Sequence, residues 1–231
     1  MWKLPYKEYL PAEFEIKKII NIIFRQRVKK MENFEYSKLG YKLWFLIRPI
    51  FRLIFRISVE GIENVPKEGG CILAANHRSN LDPFVLNTIS PRPIFFMAKH
   101  ELFKIPVLSW IIRKAGAIPV KRTTRDIGAL KKAIELVNNG YCIGIFPEGT
   151  RAKPGQFRKP QSGVGLLVSK TSGGVVPVRI EGTDLVMPVG SSFPKIWKSP
   201  IKIKFGKPLK IDKDKEYMEI AEYIMEEIKK L

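Results

Sequence analysis

Negative charge is what this chain most lacks. Asp and Glu number 22 against 41 Lys and Arg, a formal net charge of +19. An imbalance of that size implies an anionic partner: a nucleic acid, a membrane surface, or an acidic protein or substrate. A thermophile's Lys-rich surface accounts for many of the charges but not for the excess of one sign. Cysteine and histidine are also scarce, with two of each. Cys71 and Cys142 both fall inside apolar runs, so they read as small core residues of a reducing compartment rather than as a disulfide framework. With so few histidines and no cluster of cysteines or carboxylates, no metal is expected. Missing too is an uninterrupted apolar stretch of the ~20 residues an ordinary spanning helix needs. The chain opens on Trp2 and early charges, without an apolar h-region or a small-residue cleavage site, so no secretory signal is expected. Repeats and low-complexity tracts are absent. What remains, 231 residues with an ordinary apolar fraction, suffices for one α/β domain and a helical appendage.

The first sixty or so residues differ in texture from the rest. Ile16, Ile19, Ile20, Ile23 and Phe24 recur with the period of an amphipathic helix. From about Phe34 to Ile57 the pattern is more unusual. At 100° per residue, Lys38, Lys42, Arg48, Arg52 and Arg56 fall in one stripe, and a broad apolar face rich in Leu, Ile and Phe fills the other side. Trp44 lies near the boundary, and Pro49 is placed to kink the helix. That apolar face is wider than a single packing partner needs. The pattern predicts an interfacial helix, its apolar groups at the acyl boundary and its cations at anionic headgroups. Spanning is disfavoured because Arg48 and Arg52 would lie at membrane depth. The competing reading is a pair of helices packed in a soluble bundle.

From Ser58 onward strand-like runs (71–75, 94–97, 117–120, 141–146, 175–180, 201–205) alternate with helical patterns, clearest at 126–137 and 217–228. Residues 153–165, with their Pro, Gly and basic side chains, read as a loop. The expected fold is α/β: a mixed, largely parallel sheet flanked by helices, preceded by an amphipathic two-helix membrane-docking motif. The division is 1–57 for membrane association and 58–231 for the α/β domain. In such sheets sites gather at the carboxyl ends of the parallel strands.

Asn76-His77-Arg78-Ser79-Asn80-Leu81-Asp82 follows one such end. A histidine there suits proton transfer near neutrality, and Asp82 is close enough in sequence to fold back on the imidazole and fix its tautomer. The plainer alternative makes Asp82 a helix N-cap ahead of Pro83 and His77 a satisfied core polar residue. A second run, Phe146-Pro147-Glu148-Gly149-Thr150-Arg151, follows another strand. Arg151 and Arg122 carry planar forks suited to phosphate, Gly149 allows close backbone approach, and Thr150 adds a hydroxyl. Glu148 suits a glycerol hydroxyl or the bracing of an arginine. Lys99 is a weaker candidate cation.

These two runs, together with Gly116-Ala117-Ile118-Pro119-Val120-Lys121-Arg122 and Val175-Val176-Pro177-Val178-Arg179-Ile180, resemble in order the four blocks of the glycerolipid acyltransferase family, which contains the 1-acylglycerol-3-phosphate acyltransferases. The resemblance spans Cys71 to Glu181. It implies that His77, oriented by Asp82, takes the proton of the sn-2 hydroxyl of lysophosphatidic acid. The oxygen then attacks an acyl thioester to give phosphatidic acid. Lys99, Arg122, Glu148, Gly149, Thr150 and Arg151 would hold phosphate and glycerol. No cofactor is implied beyond the co-substrate, an acyl-carrier-protein thioester or acyl-CoA. The partners expected are an anionic membrane surface, lysophosphatidic acid and the acyl donor, at the cytoplasmic face of the cell membrane in a peripheral or monotopic mode. A glycerol-3-phosphate or other lysophospholipid acyltransferase is the near alternative. A basic nucleic-acid-binding protein is the distant one; it is disfavoured because the amino-terminal cations share their helices with a greasy face and no nucleic-acid motif is present. An inactive membrane-surface protein is disfavoured by the intact His77 and Asp82.

Overall fold

The computed structural model describes residues 48–106, 109, 112–113, 116–120, 127–191 and 193–231. Seven strands form one sheet: β1 (Ile57–Glu60), β2 (Cys71–Ala75), β3 (Ile94–Lys99), β4 (Ile118–Val120), β5 (Cys142–Ile145), β6 (Gly174–Glu181) and β7 (Ile201–Phe205). Their order across the sheet is β1-β7-β6-β2-β5-β3-β4. From β6 to β4 all neighbours are parallel. β7 runs antiparallel to β6, and β1 is parallel to β7.

The sequence explains this placement. β2 lies between two parallel partners and is buried along its whole length, so it must be apolar on both faces. Cys71, Leu73 and Ala75 point into one core while Ile72 and Ala74 point into the other. β7 alternates, with Ile201, Ile203 and Phe205 buried and Lys202 and Lys204 turned outward. Pro119, which cannot donate to a ladder, sits in the edge strand β4.

Helices cover both faces. On one side lie α2 (Ile127–Asn138), α3 (Ser162–Ser169) and α5 (Tyr217–Lys230). α5 buries Ile220, Ala221, Ile224, Met225 and Ile228, the single stripe expected of an amphipathic helix. On the other side lie α1 (Asp82–Ile89), the short α4 (Thr183–Val186), and the helical residues 48–54.

Two sequence expectations are corrected. The helix expected to reach Ile57 ends at 54: Arg56 has φ 47°, and Ile57 opens β1 and is buried with Phe55 in the sheet core. The loop expected through residue 165 instead passes into α3 at Ser162. Gly163 and Gly165 argue locally against helix, but a Cβ on Gly165 would fall 1.9 Å from the Tyr217 carbonyl oxygen. The glycine is there to let α3 close on the start of α5.

Candidate active site

His77 lies just beyond β2, at the rim where the five strands from β6 to β4 end. Asn76 fastens this exit by continuing the ladder with its side chain: its Nδ2 donates to the Ile180 carbonyl at 2.9 Å, and its Oδ1 accepts the Ile180 N–H at 2.7 Å. The chain then turns tightly. One oxygen of Asp82, Oδ2, accepts the backbone N–H groups of Arg78 (2.7 Å) and Ser79 (2.8 Å) and lies 2.8 Å from His77 Nδ1. Asp82 thus bonds backward to the turn instead of capping forward; α1 begins at Asp82 itself, with Leu81 as the residue before it and Pro83 in the first turn. An acceptor at Nδ1 places the ring proton there and leaves Nε2 with its lone pair. Nε2 has no protein partner among the described residues, and the side chain retains 11% exposure.

The second run wraps the first. Glu148 is 1% exposed. Its Oε1 accepts the His77 backbone N–H at 2.9 Å and its Oε2 the Arg158 N–H at 2.8 Å. The Ala152 N–H returns to the His77 carbonyl at 2.8 Å. The two peptide groups of His77 are therefore gripped by the loop after β5. Burial pushes the Glu148 carboxyl above its ordinary range, against the opposing pull of those two N–H groups. Glu148 sits beneath the site, bracing backbone.

An aromatic stack backs the imidazole. Phe146 lies parallel to His77 at 4.0 Å between ring centroids, and Phe96 stacks on Phe146 at 5.7 Å. Phe96 occupies the space left by the missing side chain of Gly144, where a Cβ would meet its ring at 2.0 Å. Ser79 is fully buried; its hydroxyl donates to the Met187 carbonyl at 2.7 Å and accepts the Leu81 N–H at 3.2 Å. It is a structural hydroxyl.

The remaining expected residues fall as follows. Gly149 adopts φ +67°, the left-handed conformation that favours glycine. Thr150 and Arg151 are half-buried beside it, and Arg151 precedes the residue bonded to His77. Lys99 ends β3, exposed and paired with Glu101 at 3.5 Å. Arg122 lies outside the described residues, as do Lys38, Lys42 and Trp44. Arg48 is 8% exposed, its guanidinium donating to the Asn87 carbonyl at 3.1 Å; it packs on α1 rather than joining an exposed cationic stripe. The stripe is also cut short, because the helix ends at 54 and Arg56 lies beyond it. Arg52 is exposed, and Arg56, past the helix end, donates to the Trp197 carbonyl at 3.0 Å.

The sequence reading missed Phe146, Phe96, Gly144 and Arg78. Arg78 pairs with Asp184 at 3.7 Å and lies 5.4 Å from the Phe157 ring centroid. Each acts through a cross-strand or loop contact that only the strand order reveals. The one signal within reach was Phe146 at the head of its run. Among the described residues no three His, Cys, Asp or Glu side chains gather as a metal site would require, and no helix is long and apolar enough to cross a membrane.

The family profile described as Acyltransferase matches residues 56–181. The 1-acyl-sn-glycerol-3-phosphate acyltransferase BAT2, chloroplastic, of Brassica napus is 34% identical over 153 residues, covering 65% of this chain and 44% of that protein. The 1-acyl-sn-glycerol-3-phosphate acyltransferase of Borreliella burgdorferi is 35% identical over 131 residues, covering 56% of this chain and 52% of that protein. The chain thus spans about half the length of the curated relatives it matches. Among solved structures, that of the 1-acyl-sn-glycerophosphate (LPA) acyltransferase, PlsC, from Thermotoga maritima superposes with a TM-score of 0.67 at 29% identity, covering 82% of this chain and 77% of that one.

Proposed function

This chain belongs to the acyltransferase family, and from that premise we propose that it acylates the sn-2 hydroxyl of lysophosphatidic acid with a fatty acyl thioester, giving phosphatidic acid. The observation that carries the reading is the imidazole of His77, held through Nδ1 by Asp82 with Nε2 left to receive a proton.

With the hydroxyl of the acceptor against Nε2, His77 takes its proton as the oxygen attacks the thioester carbonyl. Asp82 stabilises the imidazolium that forms. The tetrahedral adduct collapses, the C–S bond breaks, and the proton on Nε2 passes to the departing thiolate. Ester and free thiol leave, and the imidazole returns to its starting state. No acyl-enzyme is involved: the hydroxyl of Ser79 is committed to Met187 and Leu81. Glu148, Phe146 and Phe96 are positioning residues that fix the backbone and ring of His77. Arg151 and Thr150, in the loop that grips His77, hold the acceptor phosphate, with Arg122 and Lys99 as further cations. The donor is an acyl-carrier-protein thioester or acyl-CoA, and the chain works as a peripheral or monotopic protein on the cytoplasmic face of the membrane, its amino-terminal segment forming the docking helices.

The test is a purified assay with lysophosphatidic acid and each acyl donor in turn, following release of free thiol. Turnover that vanishes in His77→Ala supports the reading; thiol release that persists in that variant overturns it.

A further inference from the structure

We propose that the segment 185–198 is a second membrane-seated element, a loop of the catalytic domain itself that inserts into an anionic bilayer surface at the mouth of the site. Val186 and Met187 turn into the core, but five other large apolar side chains point outward: Leu185, Val189 and Ile196 are about half exposed or more, Trp197 is 59% exposed and Phe193 80%. They are held there. The Lys195 N–H donates to the Val186 carbonyl at 2.7 Å, and Ser191 Oγ to the Phe193 carbonyl at 2.8 Å. Arg56 binds the Trp197 carbonyl and lies 5.6 Å from its ring centroid. That contact ties the loop to the segment just after residues 48–54, where Leu53 is 71% exposed and Ile50 59%. A soluble surface rarely presents so many large apolar groups together.

Charge selects the occupant. Arg56, Lys195 and Lys198 flank the greasy tips, and no Asp or Glu occurs from Leu185 to Pro200. Apolar tips ringed by a tryptophan and cations match the acyl–headgroup boundary of an anionic leaflet. Place matters as well. The Ser79 hydroxyl bonds to the Met187 carbonyl, and Arg78 pairs with Asp184, so the loop abuts the His77 turn. A lipid acceptor entering from the leaflet would pass from loop to imidazole without crossing water. This last step rests on the proposed function; the insertion of the loop does not.

The test uses the full chain. Cys71 and Cys142 are fully buried, so Phe193→Cys takes an environment-sensitive thiol dye at one place. Glu222→Cys, on exposed α5 across the sheet, is the control. With phosphatidylglycerol–phosphatidylcholine vesicles the dye at 193 should shift to the blue and be quenched by brominated acyl chains, and the dye at 222 should do neither. Flotation of the protein with the dye at 193 still in water would overturn the proposal. So would a dye already shielded before vesicles are added, whether by another part of the chain or by a second copy. Val189→Asp with Phe193→Asp should weaken vesicle binding by about tenfold or more and lower turnover on vesicle-borne acceptor, with detergent-dispersed acceptor unaffected. Equal loss in detergent and on vesicles would count against insertion. Should the wild type not acylate lysophosphatidic acid at all, the reading of the site fails while the dye still decides the loop.

Discussion

One oxygen of Asp82 serves two backbone N–H groups and the imidazole at once. Asp82→Asn therefore either turns an amide N–H toward those donors or weakens the acceptor that sets the tautomer, and turnover should fall about 10²–10⁴-fold, measured as thiol release by a variant that still melts cooperatively. Glu148 allows a test with a definite sign. Burial raises its folded value, so the folded chain holds that proton more tightly than the unfolded chain does. The resulting stability is fully present below the ordinary Glu range and is lost as pH rises through the raised folded value. Melting curves should show the wild type gaining on Glu148→Gln as pH falls through that window. Turnover should be lower in Glu148→Gln at any pH, because an amide NH2 facing the His77 or Arg158 N–H breaks the brace; leaving a buried N–H unmatched costs about 1–3 kcal/mol. His77 with Asp82 was legible in the sequence because both lie within one turn. Glu148 was visible as a residue but not as a brace, since its partners are peptide groups far along the chain, which no side-chain pattern announces.

At the scale of elements, the stack that backs His77 is assembled from three strands. β5 contributes Gly144 and leads into Phe146, β3 contributes Phe96, and β2 leads to His77. Gly144→Ala should push Phe96 against Phe146, costing about 1–3 kcal/mol in overpacking and lowering turnover beyond that loss. Phe96→Leu in the same chain should restore part of both, read by thermal melting and by thiol release. Arg151, in the same loop, should behave differently: Arg151→Ala raises the acceptor KM and leaves that of the donor nearly unchanged. A selective loss of donor binding would move the phosphate elsewhere. Most strands were legible because a buried strand is an uninterrupted apolar run. β1 was hidden because its first residue continues the apolar face of the preceding helix. α3 was hidden because Gly163 and Gly165 lower its helical propensity, and the contact with α5 that Gly165 serves is not written in the local pattern.

Over the whole molecule, the docking proposed above would set the net charge of +19 against an anionic leaflet. Binding to vesicles containing phosphatidylglycerol should weaken as salt is added, through the screened part, without being abolished, since apolar insertion does not respond to salt. Arg52→Glu should weaken binding at low salt by about 1 kcal/mol plus repulsion and flatten its dependence on salt, read by co-sedimentation across a salt series. The α/β class followed from the alternation of runs, but the strand order did not. Nothing in the sequence says that β5 and β6 flank β2, and that adjacency is what brings the Glu148 loop onto His77.

The same adjacency sets the tempo at which the site comes into being. His77 and Glu148 are 71 residues apart in the chain, and Asn76 closes on Ile180 across 104. During synthesis the histidine and its aspartate emerge long before the groups that clamp them. Contacts of such long range form late and slowly, so the early chain carries the dyad without a frame to hold it. Recovery of turnover after dilution from denaturant should follow the slowest refolding phase, lagging behind the return of helical signal.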